Sequence, residues 1–154
     1  METWQTGNSG FEVRVAAYSE KHAVVAGGYY VFSSKPSGVE SWQEFATFRH
    51  DDPIPIRREQ VRLLNDRTGF VFMGWMYAVT TDGGRTWSVW NAQHDLANWQ
   101  CCNYELIKHI QLQLDGIGEM TMDPIIGRKG EVPRLCTQDY GRHWTEESCK
   151  MIRD

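Results

Sequence analysis

The chain has 154 residues, 41% of them hydrophobic and 23% charged, which is enough apolar material for the core of one soluble domain. With 20 Asp and Glu against 16 Lys and Arg, the formal net charge of -4 argues against a nucleic-acid or anionic-membrane partner. No run approaches the roughly 20 apolar residues that a membrane span needs.

In chain order, Met1 is followed by the polar stretch Glu2-Thr3-Trp4-Gln5-Thr6, with no apolar signal core. Phe11, Val13 and Val15 then alternate with Glu12 and Arg14, the period of a half-buried strand. Ala23–Ala26 and Tyr29–Phe32 read as two further strands, Ser33 to Ser41 as a loop, and Trp42 as the start of a fourth strand. Val61–Leu64 begins a second unit, preferred as strand over helix because no N-cap precedes it. The turn Asn65-Asp66-Arg67-Thr68-Gly69 follows, then strands at Phe70–Gly74 and Met76–Thr80, the turn Thr81–Arg85, and a strand from Trp87 to Trp90.

The last third repeats this plan. Ile110, Leu112 and Leu114 alternate with Gln111 and Gln113, and Asp115-Gly116 is a hairpin turn leading to Met120 and Met122. After the connection Pro124 to Pro133 come a short strand at Arg134–Cys136, the turn Gln138–Arg142, and a final strand opened by Trp144. Trp42, Trp87 and Trp144 occupy equivalent places, 45 and 57 residues apart, which brackets the repeat length of propeller blades. The expectation is one all-β domain over residues 1–154, built from about three antiparallel four-stranded units at 11–48, 58–90 and 105–149. Three blades would leave open edges, so such a propeller would be small or partial.

Thr80-Thr81-Asp82-Gly83-Gly84-Arg85-Thr86-Trp87 resembles the Asp-box, or BNR repeat, Ser/Thr-x-Asp-x-Gly-x-Thr-Trp, at every position. Thr137-Gln138-Asp139-Tyr140-Gly141-Arg142-His143-Trp144 resembles it too, with His143 in place of Thr. The first unit keeps only Gly38, Ser41 and Trp42. The resemblance is to the Asp-box β-propellers of sialidases and photosystem assembly factors. It implies that Asp82, Gly84, Thr86 and Trp87, with Asp139, Gly141 and Trp144, are fold determinants: Asp accepts turn amides, Gly takes φ > 0, and Trp buries its ring. One carboxylate per turn falls short of the six to eight oxygens that calcium takes, so no metal is expected. Sialidase chemistry needs an arginine cluster, a Tyr–Glu pair and an acid Asp spread over six blades, which this chain does not supply.

Cys101, Cys102, Cys136 and Cys149 suit two disulfides in an oxidising compartment, and no CxxC pair suggests zinc. Pairing a cysteine with His94 or His109 for catalysis is a weaker reading than structural cysteines. The expected location is therefore periplasmic or secreted, with a leader removed. The alternative is a cytoplasmic protein with free thiols.

The loops 49–58 and 91–104 fall outside the repeat and should lie at its rim, where a rigid scaffold carries its binding residues. Trp99, Trp90, His94, Arg57 and Arg58 are the candidate partner-binding residues. The functional expectation is a non-catalytic module, without cofactor, that binds another protein. A concrete form is an immunity or inhibitor protein acting on an enzyme or toxin. The other readings are an assembly or scaffold factor and a glycan-binding module left from a degenerate hydrolase.

Overall fold

The computed structural model describes residues 2–7, 10–19, 28–50, 54–95, 106–122 and 134–152. They form three small antiparallel sheets, none of them closed. The first has the order β1 (Glu2–Gly7), β2 (Phe11–Ser19), β3 (Gly28–Pro36), β4 (Gln43–His50). Phe11, Val13 and Val15 of β2 are buried beside Tyr30 and Phe32 of β3, as their alternation predicts.

Two features of this sheet depart from the sequence expectation. β1 lies in the stretch read only as polar, paired with β2 from Glu2↔Ala17 to Gly7↔Glu12. Its Thr and Trp residues fit a pleated strand, and an edge strand needs no apolar run. β3 also continues through Ser33–Pro36, which was assigned to a loop. Ser33 and Ser34 are paired to Arg14 and Val13 and buried. The expected strand Ala23–Ala26 lies outside the described residues.

The second sheet has the order β5 (Val61–Leu63), β6 (Gly69–Met73), β7 (Met76–Thr80), β8 (Ser88–Asn91), preceded by a 3-10 turn at Arg58–Gln60. β6 and β7 are buried at every position, in keeping with their continuous apolar runs. Asn65 shapes the β5–β6 turn by accepting the Arg67 and Thr68 amides at 2.9 and 2.7 Å. After β8 the chain makes one helical turn, α1 (Ala92–Asp95), closed by mutual capping. The Asn91 N–H donates to Asp95 Oδ2 at 2.7 Å, and the Gln93 N–H to Asn91 Oδ1 at 2.9 Å.

The third sheet has the order β11 (Arg134–Thr137), β10 (Gly118–Met122), β9 (Ile107–Leu112). Its expected fourth strand is replaced. Thr145 makes a single bridge to Cys136, and the chain then enters α2 (Glu146–Ile152). The local reason is a cap: Thr145 Oγ1 accepts the Ser148 N–H at 3.0 Å, with Glu146 and Glu147 in the first turn. A disulfide between Cys136 and Cys149, Cα atoms 4.9 Å apart, ties α2 to β11. Cys101 and Cys102 lie outside the described residues.

The chain divides into two compact units, Met1–Val71 with Thr80–Trp87, and Phe72–Val79 with Ser88–Asp154. Each contains one of the two aspartate turns.

Candidate functional site: two aspartate turns and a cleft

The Asp82 turn is closed by its own side chains. Thr80 Oγ1 donates to Asp82 Oδ1 at 2.9 Å and accepts the Gly84 N–H at 3.0 Å. Thr86 then donates twice to the carboxylate, from its N–H to Oδ1 at 2.9 Å and from its hydroxyl to Oδ2 at 2.5 Å. Arg85 reaches the Asp82 carbonyl at 3.4 Å. Partial burial pushes the Asp82 carboxyl up, but hydrogen bonds from Thr86, Thr80 and the Arg85 backbone outweigh it and hold its pKa below the ordinary aspartate value.

The Asp139 turn repeats this network. Thr137 Oγ1 donates to Asp139 Oδ1 at 2.7 Å and accepts the Gly141 N–H at 2.9 Å. The His143 N–H donates to Oδ1 at 3.0 Å, and the imidazole Nδ1 stands 2.6 Å from Oδ2, where Thr86 puts its hydroxyl in the other turn. Arg142 donates to the Asp139 carbonyl at 3.2 Å, as Arg85 does to that of Asp82. Burial again opposes ionisation, and hydrogen bonds from His143 and Thr137 again hold the carboxyl below its ordinary value. An ionised carboxylate only accepts, so Nδ1 carries the proton and Nε2 is the ring nitrogen turned away from Asp139.

Each turn also docks on the third strand of the sheet before it in the chain. The Gly84 carbonyl accepts the Ser34 hydroxyl of β3 at 2.8 Å, and a Cβ on Gly84 would meet Phe11 of β2 at 3.0 Å. The Tyr140 carbonyl accepts the Tyr77 hydroxyl of β7 at 2.7 Å, and a Cβ on Gly141 would overlap the Tyr77 ring. Both glycines hold positive φ, 82° and 84°, so close approach and backbone conformation both demand glycine. Burial pushes the Tyr77 hydroxyl pKa well up, which keeps its donor in place.

The tryptophans separate the two turns. Trp87 is half-buried, stacked on Phe45 at 3.8 Å and 2° between planes. Its indole N–H donates to Ser34 Oγ at 3.0 Å and to the Gly84 carbonyl at 3.2 Å. Trp144 is 1% exposed, meets Tyr77 edge-on at 5.2 Å, and its indole N–H has no acceptor among the described residues. Trp42 stands at the same place before β4, half-buried with the Arg14 guanidinium 4.4 Å above its ring and no aspartate turn. The tryptophan is thus enclosed after the second turn and half-buried after the first.

A cleft of about 210 Å3 opens beside the Asp139 turn. Val89, Trp90 and Trp144 form its apolar lining, and Asp95, Arg142, His143 and Thr145 its polar one. β8 supplies Trp90, 3% exposed, and α1 supplies Asp95. The turn contributes Arg142 and His143, the latter with an 83% exposed side chain. Trp90, expected both as the end of a strand and as a partner-binding candidate, is a β8 residue that lines the cleft. His94 is exposed on α1, next to Asp95.

Arg57 and Arg58 belong to the first unit and are exposed at the 3-10 turn. Arg57 stands 4.0 Å from Glu59, and its N–H donates to Gln60 Oε1 at 2.7 Å. Trp99 lies outside the described residues. Arg142, Asp95 and Thr145 were not anticipated. The signal for them was His143, the one departure from the repeated pattern, following an arginine in a turn. No cluster of three or more His, Cys, Asp or Glu suited to a metal occurs among the described residues. Nor is any helix among them long and apolar enough to cross a membrane.

Comparison with protein-family models, with curated proteins and with solved structures gives no match.

Proposed function

We propose that this chain is a non-catalytic, extracytoplasmic protein-binding module that acts as an inhibitor or immunity protein on a partner enzyme. We also read the three sheets as blades of a partial Asp-box propeller, with the two turns as latches between successive blades. The observation that carries the binding reading is the cleft beside the Asp139 turn. It has a tryptophan floor and an arginine at its rim, the residue types that dominate the energetics of protein interfaces. Both aspartates are engaged in closing their own turns, which suits a structural role for them. The Cys136–Cys149 disulfide fits an oxidising compartment.

The test is affinity capture from the source cells, cross-linking of the captured partner, and assay of that partner with and without the pure protein. The expected result is one stoichiometric partner, cross-linked at 89–95 and 142–145, whose activity falls on addition. Turnover of a glycoside or peptide by the pure protein alone would overturn the non-catalytic reading. A captured partner that is a multi-subunit assembly, with unchanged activity, would favour the scaffold reading instead.

A further inference from the structure

Three ionisable side chains line the cleft beside the Asp139 turn: Asp95, Arg142 and His143. Arg142 is engaged by its own turn. Its guanidinium donates to the Asp139 carbonyl at 3.2 Å and stands 5.8 Å from the centre of the Tyr140 ring. The other two each keep an acceptor. Asp95 Oδ2 takes the Asn91 N–H at 2.7 Å, while its Oδ1 has no donor among the described residues. His143 holds its Nδ1 proton on Asp139 Oδ2 at 2.6 Å, which leaves Nε2 as an acceptor in the neutral ring, again without a partner among the described residues. Both side chains are exposed. The Trp144 indole N–H is shut off from solvent, so an occupant of the cleft does not meet it. The groups on offer are therefore acceptors, one of them a carboxylate oxygen, and their complement is a cationic donor.

Size and shape narrow the occupant further. Whole small-molecule ligands fill pockets of about 300–1,000 Å3. At about 210 Å3 the cleft suits a single side chain. Its lining by Val89, Trp90 and Trp144 suits an apolar stem. A guanidinium binds best as a fork on both oxygens of one carboxylate, and Asp95 has only one oxygen left to give. An ammonium is a compact point charge with three donors, which suits one carboxylate oxygen and one imidazole nitrogen.

Building on the protein-binding reading above, we propose that the cleft receives a lysine side chain of a basic partner, with its methylenes over Val89 and Trp90 and its ammonium at Asp95 Oδ1 and His143 Nε2. The charge of the whole chain agrees with that of the cleft: a net charge of -4 draws a basic partner in, and the cleft sets the register of docking.

The experiment uses 15N-labelled full-length protein at about pH 8, above the ordinary histidine range. It is titrated with N-acetyl-L-lysine N-methylamide and followed by amide and indole N–H resonances. The norleucine derivative, which has the same stem without the ammonium, and the glutamate derivative are run in parallel. The proposal expects a saturable shift of the Trp90 indole signal and of the amides of Asp95 and 142–145, with a dissociation constant of roughly 1–10 mM for a ligand of this size. The norleucine derivative should bind at least several-fold more weakly, and the glutamate derivative should leave these signals in place. Asp95→Asn should abolish the shift with signal dispersion intact, because its single amide oxygen can still cap the Asn91 N–H but only its NH2 is left for the cleft. His143→Thr, which keeps a donor for Asp139 and removes Nε2, should weaken binding. Equal shifts from the norleucine or glutamate derivative, an unchanged response in either variant, or no response at the cleft to any probe would each overturn the ammonium assignment. Because the probe is a single residue, those outcomes leave the partner-binding reading to be judged by capture alone.

Discussion

The Asp82 and Asp139 turns close their carboxylates atom for atom in the same way, yet their tryptophans have opposite fates. Trp87 lies half-buried against Phe45 with its N–H satisfied, whereas Trp144 is enclosed, edge-on to Tyr77, with no acceptor for its N–H among the described residues. The turns differ in sequence at three places, Thr81 against Gln138 being one. Gly83 of the first turn corresponds to Tyr140 of the second, at φ 72° and 64°. Tyr140 is the one non-glycine at positive φ among the described residues, a position that strains an ordinary side chain. It is held there by its hydroxyl on the Leu114 carbonyl at 2.9 Å, its N–H on the Gly116 carbonyl at 2.9 Å, and its carbonyl on Tyr77. Thr86 corresponds to His143, which does the same hydrogen-bonding work with a larger, exposed ring. Both turns therefore close in the same way, and the second also lines a cleft.

The largest effect should separate the tryptophans. Trp144→Ala should cost about 3–5 kcal/mol, the range for a fully buried aromatic. Trp87→Ala, losing a stack and hydrogen bonds from a half-buried ring, should cost about 2 kcal/mol. Urea melts of both variants check the order, and equal costs would erase the distinction drawn here. Next comes the disulfide, which closes a separation of 13 residues around the second turn alone. Replacing Cys136 and Cys149 together by serine should cost about 3 kcal/mol. α2 should be the element to loosen, seen as faster amide exchange over 146–152.

Removing either carboxylate should cost about the same, since the networks match. Asp82→Ala and Asp139→Ala should each lose roughly 1–3 kcal/mol through unpaired turn amides. The pH dependence follows from their depressed pKa values. Both groups are held ionised by the fold, so their contribution is complete above about pH 4 and is lost as pH falls through their lowered values. Stability measured from pH 6 down to pH 2 should fall less steeply in Asp82→Asn/Asp139→Asn than in the parent. The smallest effect should come from His143→Thr, which restores the first turn's chemistry and should change stability by no more than about 0.5 kcal/mol. A large loss there would show that the imidazole supports the fold as well as the cleft.

Much of this comparison was legible in the sequence. Thr80–Trp87 and Thr137–Trp144 announced equivalent turns, and the apolar runs at Phe70–Met73 and Met76–Thr80 announced buried strands. Two elements were hidden for physical reasons. β1 has no apolar alternation because an edge strand can be polar, and α2 was masked by the repeat itself. Analogy with the second unit suggested a strand after Trp144, while the local signal Thr145-Glu146-Glu147-Ser148 already spelled a helix cap. The cleft was the least legible feature. It needs Trp90 from β8, Asp95 from α1 and Arg142 from the turn, and no local pattern states that these meet.

The central proposal is that the second turn, and not the first, meets the partner. Arg142 and Arg85 offer a matched test, because each donates to the carbonyl of its own turn's aspartate and both are exposed. The measurement is the affinity of the captured partner for Arg142→Ala and for Arg85→Ala, with thermal melts to confirm that both remain folded. The account predicts at least a tenfold loss for Arg142→Ala, a difference of about 1.4 kcal/mol, and parental affinity for Arg85→Ala. Parental affinity in Arg142→Ala, or an equal loss in both, would contradict it.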